Sequence, residues 1–422
     1  LEAEIAKAPA EMKPVLQTLL AHWYWSYFQQ NRWRFMQRTQ TAEAPGKDFT
    51  TWDLPRLFAE IDKHFQAALA AEKTLKATPI AAWDGLLEKG TMPDSYRPTL
   101  YDFLAHEALQ YYTSGEQAGA KAEGEFELMA DSPALDAADK FLAWHRTFAI
   151  KQFPDSPIVK AIDLYGRLLE FHQNDADKSA YLDADLARLV WAWNTAFGEE
   201  KNARFKAALR TFIAEWGDHE LAAMASWNLA RVIKDEGDWA EARKIALQAK
   251  DAHTGSVGAK QCANLINEIE AKSANINTER VWNCNRSAGS SPAGQQSDDE
   301  SRRAACATIT VRYRNVDKVF FRAYAANWES FLDKKRPRPE NISSQERRDM
   351  LAKPETHEWS ATLPATPDFK ERTFSTPAPA ALKPGFYFIF ASHDANFGET
   401  ANQVSMTTVW VSELALVLRP RA

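Results

Sequence analysis

The hydrophobic pattern of this chain changes its period once, and that change fixes the fold class. From residue 1 to about residue 272, apolar residues recur at the three- and four-residue steps of α-helices. From Cys306 onward they alternate with polar residues, as in half-buried strands. The stretch 287–294 (SAGSSPAG) between them holds neither period. The sequence therefore predicts a multidomain protein in which an α-helical array precedes a β domain.

A chain of 422 residues is too long for one ordinary core, so several domains are expected. We expect, in chain order, an α-helical region at 1–274 with subregions 1–125 and 132–274, a flexible Gly- and Ser-rich linker at 275–305, and a β-sandwich at 306–422 that a loop and short helix interrupt at 327–353.

Aromatic and aliphatic residues mark the first long helix, predicted over 14–37. It is aromatic nearly all round, which predicts burial between neighbouring elements. A second helix starts near Asp53, and Thr99 is the expected N-cap of a third. The helix that starts near Asp53 is predicted to cover 53–75, and further helices are predicted over 135–152, 157–173, 178–196, 201–215, 219–236, 239–251 and 255–272.

Residues 225–249 are typical of a tetratricopeptide repeat, in which small side chains let two helices approach closely. The Gly237-Asp238-Trp239 segment lies at the predicted turn between the two helices. Neighbouring helix pairs match less well, so we interpret the region as a tetratricopeptide-like array. Such arrays often bind peptides, and the alternative is that this one only braces the following domain.

Alternation of Ile309, Val311 and Tyr313 with polar residues predicts the first strand of the β domain. A capping box at Ser343 and Glu346 predicts a short helix over 344–352. Further strands are predicted over 318–324, 357–363, 371–375, 385–391 and 404–411, with 412–418 as a seventh. Six or seven short strands suit a β-sandwich.

Charge and composition exclude some classes of protein. The formal net charge is -6, and acidic and basic residues are mixed along the chain. There is no basic tract of the kind that would predict a nucleic-acid partner. No apolar run reaches the roughly 18 residues of a membrane span. Cys284 and Cys306 flank the loop 286–303, and we interpret them as a candidate disulfide, with two unrelated thiols as the alternative. Cys262 lies in a helical pattern and is expected to be buried.

The search for catalytic, metal or cofactor chemistry yields no site, and we predict no enzyme and no cofactor. His106-Glu107 lacks the second histidine of a zincin helix, because position 110 is Gln. His393-Asp394 is interpreted as a loop whose histidine bonds a neighbouring turn. The acid pairs Asp183/Asp185 and Glu199/Glu200 are expected at helix surfaces or caps.

Five segments together resemble the bacterial alpha-2-macroglobulin family. They are 24–39 (YWSYFQQNRWRFMQRT), 98–109 (PTLYDFLAHEAL), 383–394 (KPGFYFIFASHD), 402–405 (NQVS) and 409–417 (VWVSELALV). In that family the last three segments close one macroglobulin-type β-sandwich and lead into the next. The resemblance implies a seven-stranded macroglobulin-type sandwich here. It also implies that 412–419 is the opening strand of a following domain.

The family traps proteases, and many members carry a thioester at a Cys-x-Glu-Gln motif. None of Cys262, Cys284 and Cys306 has that context. The resemblance therefore implies a non-catalytic N-terminal portion, whose partners are downstream macroglobulin domains and, in the whole protein, target proteases. The start at Leu1, inside a helical pattern, also suggests a piece of a longer protein. The implied location is the periplasm or cell surface.

Two other hypotheses remain open. The chain is alternatively a stand-alone tetratricopeptide-type protein-binding scaffold with an accessory sandwich. A third hypothesis is a carbohydrate-active enzyme, which the fifteen tryptophans keep open and which requires two carboxylates across a cleft.

Overall fold

Small polar caps start several of the helices. In the computed structural model, Asp53, Thr99 and Ser156 each accept a backbone hydrogen bond from the first turn of the helix that follows. These bonds satisfy donors that a helix start leaves free. The structure describes residues 1–36, 46, 48–117, 126–148, 152–283, 307–329, 341–354, 357–398 and 402–412.

The first part of the chain is helical. Its helices are α1 (Glu2–Lys7), α2 (Lys13–Met36), α3 (Leu54–Leu69), α4 (Glu72–Ala77), α5 (Leu100–Thr113), α6 (Ala138–His145), α7 (Pro157–His172), α8 (Ser179–Thr195), α9 (Lys201–Trp216), α10 (Leu221–Asp235), α11 (Trp239–Ala252) and α12 (Val257–Glu270). Short 3-10 turns lie at Phe49–Thr51, Ile80–Trp83, Asp94–Tyr96 and Pro133–Leu135.

Most of the predicted helices are confirmed within a few residues. The Thr99 cap is confirmed as a full capping box with Asp102. Two predictions were wrong in detail. The helix expected over 53–75 is two helices, broken at Ala70–Ala71. The helix expected over 135–152 is a 3-10 turn followed by α6, which ends at His145.

The chain divides into two compact units, Leu1–Val232 with Ala249–Ala259, and Ile233–Gln248 with Lys260–Ala422. In the first unit, α2 and α3 pack closely through aromatic rings. Phe28 meets Phe58 edge to face at 4.9 Å between centroids, and Phe65 stacks on Tyr111 of α5 at 5.5 Å. These rings bury large apolar areas, the main favourable contribution to a core.

Helix α2 is less buried than its aromatic content predicted. Tyr24 and Phe28 are buried, but Trp23 is exposed and Trp33 is 78 % exposed. The backbone leaves helical geometry at Asn31, whose side chain donates a 2.9 Å hydrogen bond to the carbonyl oxygen of Tyr27. The aromatic residues on every side of α2 predicted that the helix would be buried on every side, and this prediction was wrong.

The second unit contains two sheets. Its strands are β1 (Ser273–Thr278), β2 (Val281–Asn283), β3 (Thr308–Arg314), β4 (Lys318–Ala326), β5 (His357–Thr362), β6 (Arg372–Pro377), β7 (Gly385–Ser392) and β8 (Ser405–Ser412), with helix α13 (Ser344–Leu351) before β5. One sheet has the order β1-β3-β6 and the other β2-β8-β7-β4-β5. The pairs are antiparallel except for β2 and β8, which run parallel.

Strands begin earlier than the sequence predicted. The start of the expected 275–305 linker lies in β1 and β2. Ile276 of β1 is paired with Val311 of β3, and Trp282 of β2 is completely buried. These two short strands raise the described strands to eight, where six or seven were expected. Residues 284–306 lie outside the described residues.

One apolar core joins the two sheets. It contains Val311 and Tyr313 of the three-stranded sheet together with Phe321, Ile389 and Val409 of the five-stranded sheet. Strand β7 is buried on both faces, which explains its unbroken apolar run. Its alternate residues Phe386, Phe388 and Phe390 belong to a second cluster on the opposite face.

The described parts of the insertion at 327–353 pack against that second cluster. The predicted helix is confirmed as α13, and Ser343 and Glu346 form the expected capping box. Met350 and Leu351 of α13 pack against the second cluster, as does Trp328. Leu414, Leu416 and Leu418, expected in the opening strand of a following domain, lie outside the described residues. None of the described helices is long and apolar enough to cross a membrane.

Candidate functional sites

We call the first compact unit the helical unit and the second the β unit. Ionisable side chains are concentrated in the interior of the helical unit. They come from the turn before α5, from helices α5, α7 and α8, and, in the case of the partly exposed Asp175, from the turn after α7. Several of their contacts join segments far apart in sequence. We call them the His–Asp cluster, and its members are Arg97, Asp102, His106, His172, Asp175 and Asp183.

Asp102 organises the cluster from the first turn of α5. One carboxylate oxygen accepts hydrogen bonds from the backbone nitrogen and hydroxyl of Thr99, at 2.9 and 2.8 Å. The other lies 2.7 Å from Nε2 of His172. The residue that completes the capping box of α5 thus also bonds the last residue of α7.

His172 lies between two carboxylates. Its Nδ1 is 2.7 Å from Oδ2 of Asp175, opposite the contact with Asp102. Burial alone would lower the pKa of His172, but the hydrogen bonds and charges of the two aspartates outweigh it and raise that pKa. When His172 is protonated, each ring nitrogen donates to one of the two carboxylates, and the positive charge compensates Asp102.

His106 and Asp183 form the second half of the cluster. His106 Nδ1 lies 2.9 Å from the carbonyl oxygen of Asp102, so it donates, and Nε2 is left facing Asp183 at 3.6 Å. Burial, with the positive charge of Arg97 adding to it, lowers the pKa of His106 to about 4. Burial raises the pKa of Asp183 to about 6, although Arg97 opposes that change.

The cluster contains one group that titrates near pH 6 beside a neutral imidazole. Perturbed pKa values of this kind occur at catalytic sites and also in structural networks. Here Asp102 and His172 are each 1 % exposed, and their bonds are directed at one another and at the backbone. The geometry favours a polar brace that fixes α5, α7 and α8.

A second buried ion pair, between Asp185 and Arg188, lies further along α8. Arg188 is completely buried, and its guanidinium bonds Asp185. It also donates to the carbonyl oxygens of Ala134 at 2.7 Å and Asp136 at 2.9 Å and packs on the ring of Phe141. The pair fastens the 133–136 turn to α8.

The expectation for the acid pairs was half right. Glu199 and Glu200 are exposed, and Glu200 precedes α9, as expected. Asp183 and Asp185 were expected at a surface or cap, and this was wrong, because both belong to buried networks of α8. Both aspartates lie about one helical turn from apolar residues of α8. This spacing was the signal in the sequence that could have predicted their burial.

In the β unit, the loop after β7 is held by its own polar side chains. The Asp394 carboxylate accepts hydrogen bonds from the backbone nitrogens of Asn396 and Gly398, which lowers its pKa. The Asn402 side chain donates to the Ser392 hydroxyl at 2.9 Å. These bonds tie the start of the loop to the residues before β8.

His393 does not make the contact expected of it. Its Nδ1 is buried and has no hydrogen-bond partner within the described residues. Burial, with the nearby positive charge of Lys272, lowers the pKa of His393. Ser392 and Asp394, rather than His393, therefore organise this turn.

The candidate disulfide between Cys284 and Cys306 lies outside the described residues and stays a prediction. Cys262 of α12 is completely buried, as expected, and burial raises its pKa to about 11. Within the described part of the chain, no group of three or more His, Cys, Asp or Glu side chains is placed to hold a metal ion.

Comparison of the chain with protein-family models, with curated proteins and with solved structures found no match.

Proposed function

We propose that this chain is the non-catalytic N-terminal portion of a bacterial alpha-2-macroglobulin-like protease inhibitor. The observation that carries the proposal is the placement of the resembling segments 383–394, 402–405 and 409–417. The described parts of these segments lie on β7, on β8 and in the loop between them, and Phe388 of β7 is paired with Thr408 of β8. Asn402 bonds Ser392 across that loop, so three separate matches belong to one local structure.

The architecture of the β unit gives further support. Two sheets that share one core are what a macroglobulin-type sandwich requires. The proposal identifies this unit with the first such domain and the preceding helices with a tetratricopeptide-like array. On this proposal the chain braces and positions the domains that follow, in the periplasm or at the cell surface.

Protease trapping has a signature that separates it from ordinary inhibition. A trapped protease is shielded from large substrates but still reaches small ones. The test uses the natural full-length protein, mixed in turn with trypsin, elastase and subtilisin. Cleavage of labelled casein should fall while hydrolysis of a peptide p-nitroanilide persists.

The matched control is the 422-residue chain alone, which should change neither reaction. The proposal is overturned if the full-length protein, in molar excess, protects casein from none of the three proteases. It is equally overturned if the natural reading frame ends near Ala422 without further β domains, an outcome that favours the stand-alone scaffold.

A further inference from the structure

Arg231 of α10 lies beside two indole rings of the helical unit. Its guanidinium carbon is 4.7 Å from the ring centroid of Trp227, one turn earlier on the same helix, and 5.5 Å from that of Trp193 on α8. All three side chains are partly exposed. The arrangement therefore presents a cation and two aromatic surfaces to solvent at one place.

The position of Trp193 is fixed by its neighbours. Its ring nitrogen donates a 2.8 Å hydrogen bond to the side-chain oxygen of Asn202. Its ring stacks on the buried Phe205 at 4.9 Å and 9° between planes. Two contacts from α9 thus hold the indole in one orientation, and the surface beside Arg231 is formed before any ligand arrives.

Most hydrogen-bond donors of Arg231 are unused within the described residues. A guanidinium carries five N–H groups. Arg231 makes one long bond, 3.4 Å from Nη2 to the side-chain oxygen of Asn228, and pairs with no carboxylate in the part of the chain that the structure describes. Arg188, by contrast, makes four hydrogen bonds, two to Asp185 and two to backbone carbonyl oxygens.

We propose that Arg231, Trp193 and Trp227 form a binding site for a peptide carboxylate. A carboxylate is planar and accepts two parallel bonds from a guanidinium, and the flanking rings limit the water that competes for them. The indoles also offer contact area to the apolar side chain next to that carboxylate. The inference is independent of the protease-inhibitor proposal, because it concerns the helical unit alone.

The carboxylate has two sources in a peptide, the C-terminus and an acidic side chain. The probes are three fluorescein-labelled hexapeptide pools of otherwise identical random composition. One pool ends in a free carboxylate, one in an amide, and one in an amide with Glu fixed at the fifth position. Binding to the 422-residue chain is followed by fluorescence anisotropy at low salt, which favours charge contacts.

We expect the free-acid pool or the Glu pool to bind about tenfold more tightly than the plain amide pool, since a charge-assisted hydrogen bond supplies that order of difference. Whichever of these two pools binds more tightly shows whether the site takes a C-terminal carboxylate or that of an acidic side chain. Equal binding of all three pools, or no binding at millimolar chain, overturns the proposal. This comparison needs no variant, so it does not depend on any substitution folding correctly.

Variants then assign the site to its residues. Arg231→Gln should lower the affinity for the preferred pool about tenfold. The affinity of Arg231→Lys should lie between those of the parent chain and Arg231→Gln, because lysine keeps the charge but cannot make two parallel hydrogen bonds. Arg210→Gln removes the same charge from the exposed face of α9 and should leave binding unchanged. If Arg231 only shields the rings from water, Arg231→Gln with unaltered circular dichroism binds as the parent does, and the proposal fails.

Discussion

Asp102 and His172, seventy positions apart in sequence, meet at 2.7 Å in the interior of the helical unit. Each is 1 % exposed. The contact joins the first turn of α5 to the last residue of α7, and a second carboxylate, Asp175, holds the other ring nitrogen. Removing one partner of such a pair leaves an uncompensated buried charge, which costs more than the pair itself contributes.

His172→Gln should therefore destabilise the protein by about 3 kcal/mol at pH 6. The pKa of His172 is raised in the folded state above its ordinary value of 6.5. Its contribution is thus complete below pH 6.5 and is lost as the pH rises through the folded-state value. Urea unfolding followed by circular dichroism should show a larger penalty at pH 6 than at pH 9.

Asp175→Asn is the matched control for His172→Gln. The Asp175 side chain is 42 % exposed, so solvent screens its interaction with His172, and we expect a loss of no more than about 1 kcal/mol. Equal penalties for the two variants would contradict the assignment of Asp102 as the main partner.

Asp183→Asn should stabilise the protein above pH 7. The pKa of Asp183 is raised by burial to about 6 from an ordinary 3.8, so its ionisation costs stability as the pH rises between those values. The neutral amide avoids that cost and can donate to the free Nε2 of His106. We expect a gain of roughly 2 kcal/mol at pH 7.5, shrinking toward zero near pH 4.

The measurement for Asp183→Asn is urea unfolding at pH 4, 5.5 and 7.5, beside the parent chain. A gain that did not change with pH would mean that packing, rather than the charge of Asp183, is responsible. A loss at pH 7.5 would show that the contact between Asp183 and Arg97, at 4.0 Å, outweighs the cost of burial.

Asp185→Asn, two residues further on, should have the opposite effect. Asp185 compensates the completely buried Arg188, which cannot lose its proton. Unfolding experiments at pH 7.5 should show a loss of about 3 kcal/mol. A gain in stability for Asp185→Asn would contradict the assignment of Asp185 as the carboxylate that compensates Arg188.

Local sequence patterns predicted most helices and strands of this fold, but they did not predict the contacts between segments that are distant in sequence. Helices α7 to α12 and strands β3 to β8 follow from apolar period and caps, because both act over a few residues. The His–Asp cluster depends on contacts between residues as far apart as Asp102 and His172. No spacing within one segment reveals such a contact.

The two strands missed by the sequence analysis show the same limit. β1 is largely polar (SANINT) and β2 has three residues, so neither carries a strong alternating signal. Each is a strand because a partner is present, β3 for β1 and β8 for β2. For His393, the sequence indicated a polar loop correctly but could not show which of its side chains forms the hydrogen bonds.

The three cysteines should differ in their reaction with iodoacetamide. Burial raises the pKa of Cys262 to about 11, so little of the reactive thiolate exists at pH 8. If Cys284 and Cys306 pair as predicted, mass spectrometry should find no label on the native chain, one after denaturation, and three after denaturation and reduction. Two labels on the native chain would refute the disulfide.

Asn315 caps the end of helix α12 from the turn between β3 and β4. Its side-chain nitrogen donates to the carbonyl oxygens of Ile269, at 2.8 Å, and Ala271, at 3.1 Å. Its own backbone is left-handed, with φ of 57°, a conformation that asparagine tolerates better than most residues. The side chain and the backbone can therefore be tested separately by substitution.

Asn315→Gly keeps the left-handed backbone and removes both side-chain bonds to the helix end, together with a long bond from the Thr366 hydroxyl, so it should cost about 1 kcal/mol. Asn315→Ala adds the strain of a β-carbon at positive φ and should cost about 2 kcal/mol. Asn315→Asp should be at least as harmful as Asn315→Ala at pH 7, because a carboxylate would face the negative end of the α12 dipole. Urea unfolding should rank the losses Gly, Ala, Asp in increasing order. An alanine variant as stable as the glycine variant would show that the backbone at 315 relaxes and that positive φ adds no cost.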